Sequence, residues 1–100
     1  MPRKPEKWTA EECRSWKADI TWLEDNFPVE LPVRVWRVSG LTEYGATRRY
    51  ESHYLIRICR ELDYSSSRHW LLHEWAHCLE WGDSNDHGVA WAQALSLIHI

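Results

Sequence analysis

The chain is short of the residues that make scaffolds easy to read. Its 100 residues include three cysteines, Cys13, Cys59 and Cys78, widely spaced and with no C-x-x-C pair. An odd, scattered set argues against a disulfide framework or a zinc ribbon, and free thiols fit a reducing compartment, so a cytoplasmic setting is expected. Four glycines and four prolines exclude collagen-like and low-complexity organisation, and the chain shows no internal repeat or linker. No apolar run approaches the roughly 20 residues that span a bilayer. The start, Met1-Pro2-Arg3-Lys4-Pro5, is charged with no apolar stretch behind it. Neither a signal peptide nor a membrane partner is therefore expected.

With one Phe and one Met, much of the bulky apolar volume comes from eight tryptophans at 8, 16, 22, 36, 70, 75, 81 and 91. An apolar fraction of 44% and this length describe one small globular domain over 1–100, with residues 1–8 as a flexible lead-in. Most of the tryptophans are expected in the core; a second reading has a few of them, Trp70 and Trp81 above all, lining a cleft beside the metal. The net charge of −3 conceals a gradient. Residues 31–60 carry six cations, all arginine (Arg34, Arg37, Arg48, Arg49, Arg57 and Arg60), against two acids. The plain reading is a solvated outer sheet face; the functional one is contact with nucleic acid or an acidic partner.

Local signals divide the chain into helix, strands, helix, helix. Thr9-Ala10-Glu11-Glu12 is a capping box, followed by Cys13, Trp16, Ile20, Leu23 and Phe27 at helical spacing. This predicts a helix over about 10–26, stopped by Pro28. Alternation predicts a strand over 33–38, and further strands are expected over 46–50 and 54–60, with Gly40 and Gly45 bracketing a turn. A helix over about 67–81 has Leu71, Leu72, Trp75, Ala76 and Leu79 on its apolar side, one of Ser65, Ser66 and Ser67 as N-cap, and Gly82 as its stop. A last helix runs over 89–98. The fold class is α+β: an N-terminal helix, a two- to three-stranded antiparallel or mixed sheet, and two further helices.

The third of these helices in chain order is the last; the second carries His73-Glu74-Trp75-Ala76-His77, an H-E-x-x-H pattern. On a helix the two histidines fall on one face, roughly 6 Å apart, where both imidazoles can reach one Zn²⁺. Glu74 sits at the edge of that face, placed to act as a general base. A catalytic zinc has three protein ligands as a rule. His87, in Ser84-Asn85-Asp86-His87-Gly88, is the leading third ligand, with Glu80, Asp83 and Asp86 as rivals. One zinc per chain is expected, held by His73, His77 and His87, with Glu74 catalytic. Tyr64 and His69 are the candidate extra donors to an oxyanion, and the strand over 54–59 is the candidate edge for an extended peptide. His53, His69 and His99 lack a partner at ligand spacing, and Cys78 reads as packing.

Leu71-Leu72-His73-Glu74-Trp75-Ala76-His77, followed by His87-Gly88 and Trp91, resembles the SprT-like zincin metallopeptidases. The resemblance spans about 30–95, with its specific residues at 71–77 and 87–91. It implies a small zincin-like domain, His73, His77 and His87 as ligands, Glu74 as base, and a peptide or protein substrate. Relatives that cleave proteins crosslinked to DNA add interest to the arginines. The competing expectation is a zinc-stabilised binding module without turnover, in which Asp83 or Asp86 closes the metal shell and the arginines bind nucleic acid or an acidic partner.

Overall fold

A computed structural model describes residues 7–81 and 89–98 of the chain. In order, the elements are α1 (Ala10–Asn26), β1 (Val33–Val38), β2 (Gly45–Arg49), β3 (Tyr54–Cys59), α2 (Tyr64–Leu79) and α3 (Val89–Ile98). Together they form a small α+β domain. No helix among the described residues is long and apolar enough to cross a membrane.

The capping box forms as the sequence predicts. Thr9 Oγ1 accepts from the Glu12 amide at 3.0 Å, and Glu12 Oε1 accepts from the Thr9 amide at 2.9 Å. These bonds satisfy amides that the first turn cannot pair internally. Trp16 and Leu23 bury the inner face of α1, while Cys13, expected on the same stripe, is exposed. Trp8 belongs to the packed structure rather than to a flexible lead-in. Its indole donates to the Leu62 carbonyl at 3.2 Å, and its ring meets Trp16 and Tyr64 edge-on.

The sheet is mixed, in the order β1-β3-β2. Central β3 pairs parallel with β1 and antiparallel with β2. That position explains the side-by-side Leu55 and Ile56: five of the six residues of β3 are buried, so strict apolar–polar alternation is lost. Gly40, with φ of 75°, takes the left-handed conformation in the turn after β1.

Asp63, not a serine, caps α2, which begins three residues earlier than the pattern predicts. Asp63 Oδ1 accepts from the Ser66 amide at 2.8 Å. Hydrogen bonds from Ser66 hold the Asp63 carboxyl below its ordinary range. The helix ends at Leu79 with Glu80 as C-cap, and the expected stop at Gly82 lies outside the described residues.

α2 packs on the sheet and against α1 and α3. Its buried set is Ser67, Leu71, Leu72, Glu74, Trp75, Ala76 and Cys78, so it is covered on several sides rather than along one stripe. The tryptophans divide more evenly than expected. Trp16 and Trp75 are buried, Trp8, Trp70 and Trp91 are partly buried against the core, and Trp22, Trp36 and Trp81 are exposed.

Candidate metal centre

One turn of α2 brings His73 and His77 together, their ring centroids 5.2 Å apart. His73 lies between two tryptophans, and His77 stacks on one of them. Trp70, one turn earlier on the helix, lies 4.7 Å from His73. Trp91 of α3 lies 4.9 Å from His73 and 5.5 Å from His77, and its indole donates to the His73 carbonyl at 3.4 Å. The two rings against His73 restrict the rotamers open to its imidazole.

Glu74 is only 5% exposed. Its carboxylate reaches β2, where Thr47 Oγ1 donates to Oε1 at 2.7 Å. Oε2 lies 3.9 Å from His73 Nε2. One ligand atom from each of His73, Glu74 and His77 falls within 4.8 Å of the others, so this group could hold a metal ion. Two imidazole nitrogens and a carboxylate oxygen are all groups that ligate divalent metal ions.

The group opens into a cavity of about 590 Å³. Its walls include Trp70 and Trp81, which fits the second of the two readings of the tryptophans, with Tyr44 tilted against Trp70 and the β2 residues Gly45, Ala46 and Thr47. Tyr44 and Thr47 carry no mark in the sequence, and Gly45 reads there only as one end of a turn. Nothing local links them to the histidines, because β2 meets α2 only through the strand order.

Two expectations about the surroundings change. Tyr64 and His69 do not line the cavity. Tyr64 instead donates to Asp19 Oδ2 at 2.5 Å, and burial together with that bond pushes its phenol up to about 12. The strand over 54–59 is central and presents no edge; among the described residues the edge beside the cavity is β2. The hairpin bonds Cys59 N–H to Tyr44 O and Tyr50 N–H to His53 O fix which residues of β2 face β3. By alternation, Gly45, Thr47 and Arg49 direct their own N–H and C=O groups toward the free edge.

Of the proposed ligands, His73 and His77 are brought together; Glu80 is an exposed C-cap outside the group. His87, Asp83 and Asp86 lie outside the described residues. Burial, and then the nearby Glu74 charge, push the Cys78 thiol up to about 12, in keeping with a packing role.

The arginines separate by strand parity. Arg34, Arg48 and Arg57 share the sheet face opposite α2 with Trp36, which is 53% exposed. None of the three arginines has a carboxylate within 4.0 Å among the described residues. Arg37 is on the other face, its guanidinium 3.4 Å from the Trp8 ring centroid and donating to the Arg60 carbonyl at 3.1 Å. Burial and the Arg60 charge lower its pKa. Arg49 pairs with Glu30 at 3.8 Å.

No protein-family model, curated protein or solved structure matches this chain.

Proposed function

We propose that the protein is a zinc-dependent endopeptidase similar to the SprT-like zincins, with His73, His77 and His87 as ligands and Glu74 as general base. The observation that carries this reading is the Glu74 carboxylate. It is buried beside the two imidazoles at the wall of an open cavity, and a threonine fixes it there. Held by Thr47 at the side of the imidazoles rather than pointing freely at them, the carboxylate is placed as hydrolysis needs, a base within reach of the attacking water. Zinc, when bound by these ligands, supplies the acidified water and polarises the scissile carbonyl.

The chain's own residues would do the rest. An extended peptide would add to the free edge of β2, using the outward backbone groups of Gly45 and Thr47. Glu74 would accept the proton of the attacking water and deliver it to the leaving amine. Trp70, Tyr44 and Trp81 would pack on the substrate side chains and exclude water. The free thiols favour a reducing, cytoplasmic setting.

Glu74→Gln tests the base. With a fluorogenic peptide library or unfolded casein as substrate, the variant should bind about one zinc per chain and lose about 10²- to 10⁴-fold in rate. Undiminished cleavage would refute the role of Glu74. His87→Ala, assayed for bound metal, should lower zinc occupancy if His87 is the third ligand.

A second reading rests on the opposite face of the sheet. Arg34, Arg48 and Arg57 around exposed Trp36 offer cations for phosphates and a ring on which a base can stack. Under this reading zinc would stabilise a nucleic-acid-binding module; combined with the first, the substrates would be proteins associated with nucleic acid.

A further inference from the structure

We propose that Thr47 is a positioning residue for Glu74, so that the strand receiving the substrate also sets the base. The proposal rests on the endopeptidase reading and adds to it a residue that no motif marks.

The side chain and the backbone of Thr47 point to different tasks. Its hydroxyl donates to Glu74 Oε1 at 2.7 Å. In this bond the hydroxyl donates and the carboxylate oxygen accepts, the direction that leaves the carboxylate in its basic form. The Thr47 backbone is out of register for bonding to β3 and directs its N–H and C=O to the free edge. The same residue can therefore hold the base from its side chain and a substrate strand from its main chain.

Gly45 completes the seat. It is two residues away on the same strand face. A Cβ at this position would lie 3.2 Å from Glu74 Cγ and 3.4 Å from Oε2. The absent side chain is thus the space into which the Glu74 side chain fits, and Thr47 fixes the carboxylate beyond it. Ile56, fully buried, is the partner of Thr47 in register. Glu74 consequently has no broad choice of rotamer: Gly45 admits it and Thr47 holds one of its oxygens.

The test compares Thr47→Val, which keeps shape and strand preference but removes the donor, with Thr47→Ser, which keeps the donor. Both are assayed as zinc-loaded full-length chains on the peptide library. A misplacement of a reacting group by about 1 Å costs on the order of 10²-fold, so Thr47→Val should lower kcat by about 10- to 100-fold at unchanged KM. Thr47→Ser should recover most of that rate. A readout independent of turnover is the melting temperature in a double-mutant cycle of Thr47→Val with Glu74→Ala. The double variant should lose less than the sum of the single losses, because each change removes the same bond. If Thr47→Val does not fold, Thr47→Ala against Thr47→Ser makes the same comparison. A kcat for Thr47→Val equal to that of wild type, or strictly additive melting losses, would overturn the positioning role while leaving the endopeptidase reading intact. If wild-type protein cleaves no member of the library, the endopeptidase reading fails and the positioning role falls with it.

Discussion

Trp75 lies between the metal-helix histidines in sequence and on the other side of the helix in space. It is 1% exposed, and its indole donates to the Phe27 carbonyl at 2.9 Å, just past the end of α1. One side chain therefore fills the core and satisfies an acceptor at a helix end, where carbonyls lack internal partners. Trp75→Phe would keep most of the apolar ring and leave that carbonyl unsatisfied. The expected loss is about 1–3 kcal/mol, read from denaturant unfolding. Bound zinc should stay at the wild-type level, since the histidines project elsewhere; a parallel loss of zinc would mean that the packing of Trp75 also fixes the imidazoles. At this scale the sequence was informative where spacing alone carries the signal. His73, Glu74 and His77 are recognisable because a helix imposes their geometry. The Trp75–Phe27 and Thr47–Glu74 bonds join residues 48 and 27 positions apart, and no local pattern encodes them.

Elements were legible as far as their local chemistry reached. The capping box marks the start of α1, and alternation marks β1. At the start of α2 three serines compete as caps with Asp63; Asp63 prevails, since a carboxylate accepts more strongly and complements the positive end of the helix. The strand order could not be read locally. β3 is apolar enough to be central, yet its neighbours depend on β2 returning along its far side, and that return turns β2 into the edge at the cavity. α1 and α2 are clamped by Tyr64, which donates to Asp19, while Arg68 Nε lies 3.5 Å from the same carboxylate oxygen. The clamp gives a pH signature. The Tyr64 phenol is raised from 10.0 to about 12, mainly by burial and then by its bond to Asp19. A raised folded pKa means that the folded chain holds this proton more tightly than the unfolded one. The contribution is therefore fully present below about pH 10 and is lost as pH rises towards 12. Cys78, raised from 9.0 to about 12, loses stability in the same direction. The Tm of wild type should fall between pH 10 and 12 more steeply than that of Tyr64→Phe, and the difference between the two curves isolates the tyrosine. Parallel curves would show that the phenol titrates alike in folded and unfolded chains.

Across the whole molecule the sheet separates two chemistries. Its inner face supports α2 and the candidate metal centre, and its outer face carries Arg34, Arg48, Arg57 and Trp36. A net charge of −3 disfavours general attraction to nucleic acid, so any such binding has to come from this local patch. The register gives the patch a defined shape: Arg57 is paired with Trp36 on one side and Ala46 on the other, while Leu55 lies between Arg34 and Arg48. Leu55 is buried at the middle of this row. A solvated face and a nucleic-acid-binding face predict different salt dependence. Each phosphate contact on a single strand contributes about 0.7 to the slope of log affinity against log salt concentration. Arg34→Ala, Arg48→Ala and Arg57→Ala combined should therefore reduce that slope by about 2 in fluorescence anisotropy with a labelled oligothymidine. Trp36→Ala should weaken binding with little change in slope, because stacking releases no counterions. Wild-type protein that does not bind the oligonucleotide at low salt, or a triple variant with the wild-type slope, would make this a solvated face and leave the cavity behind Thr47 and Glu74 as the one surface of the domain with a proposed function.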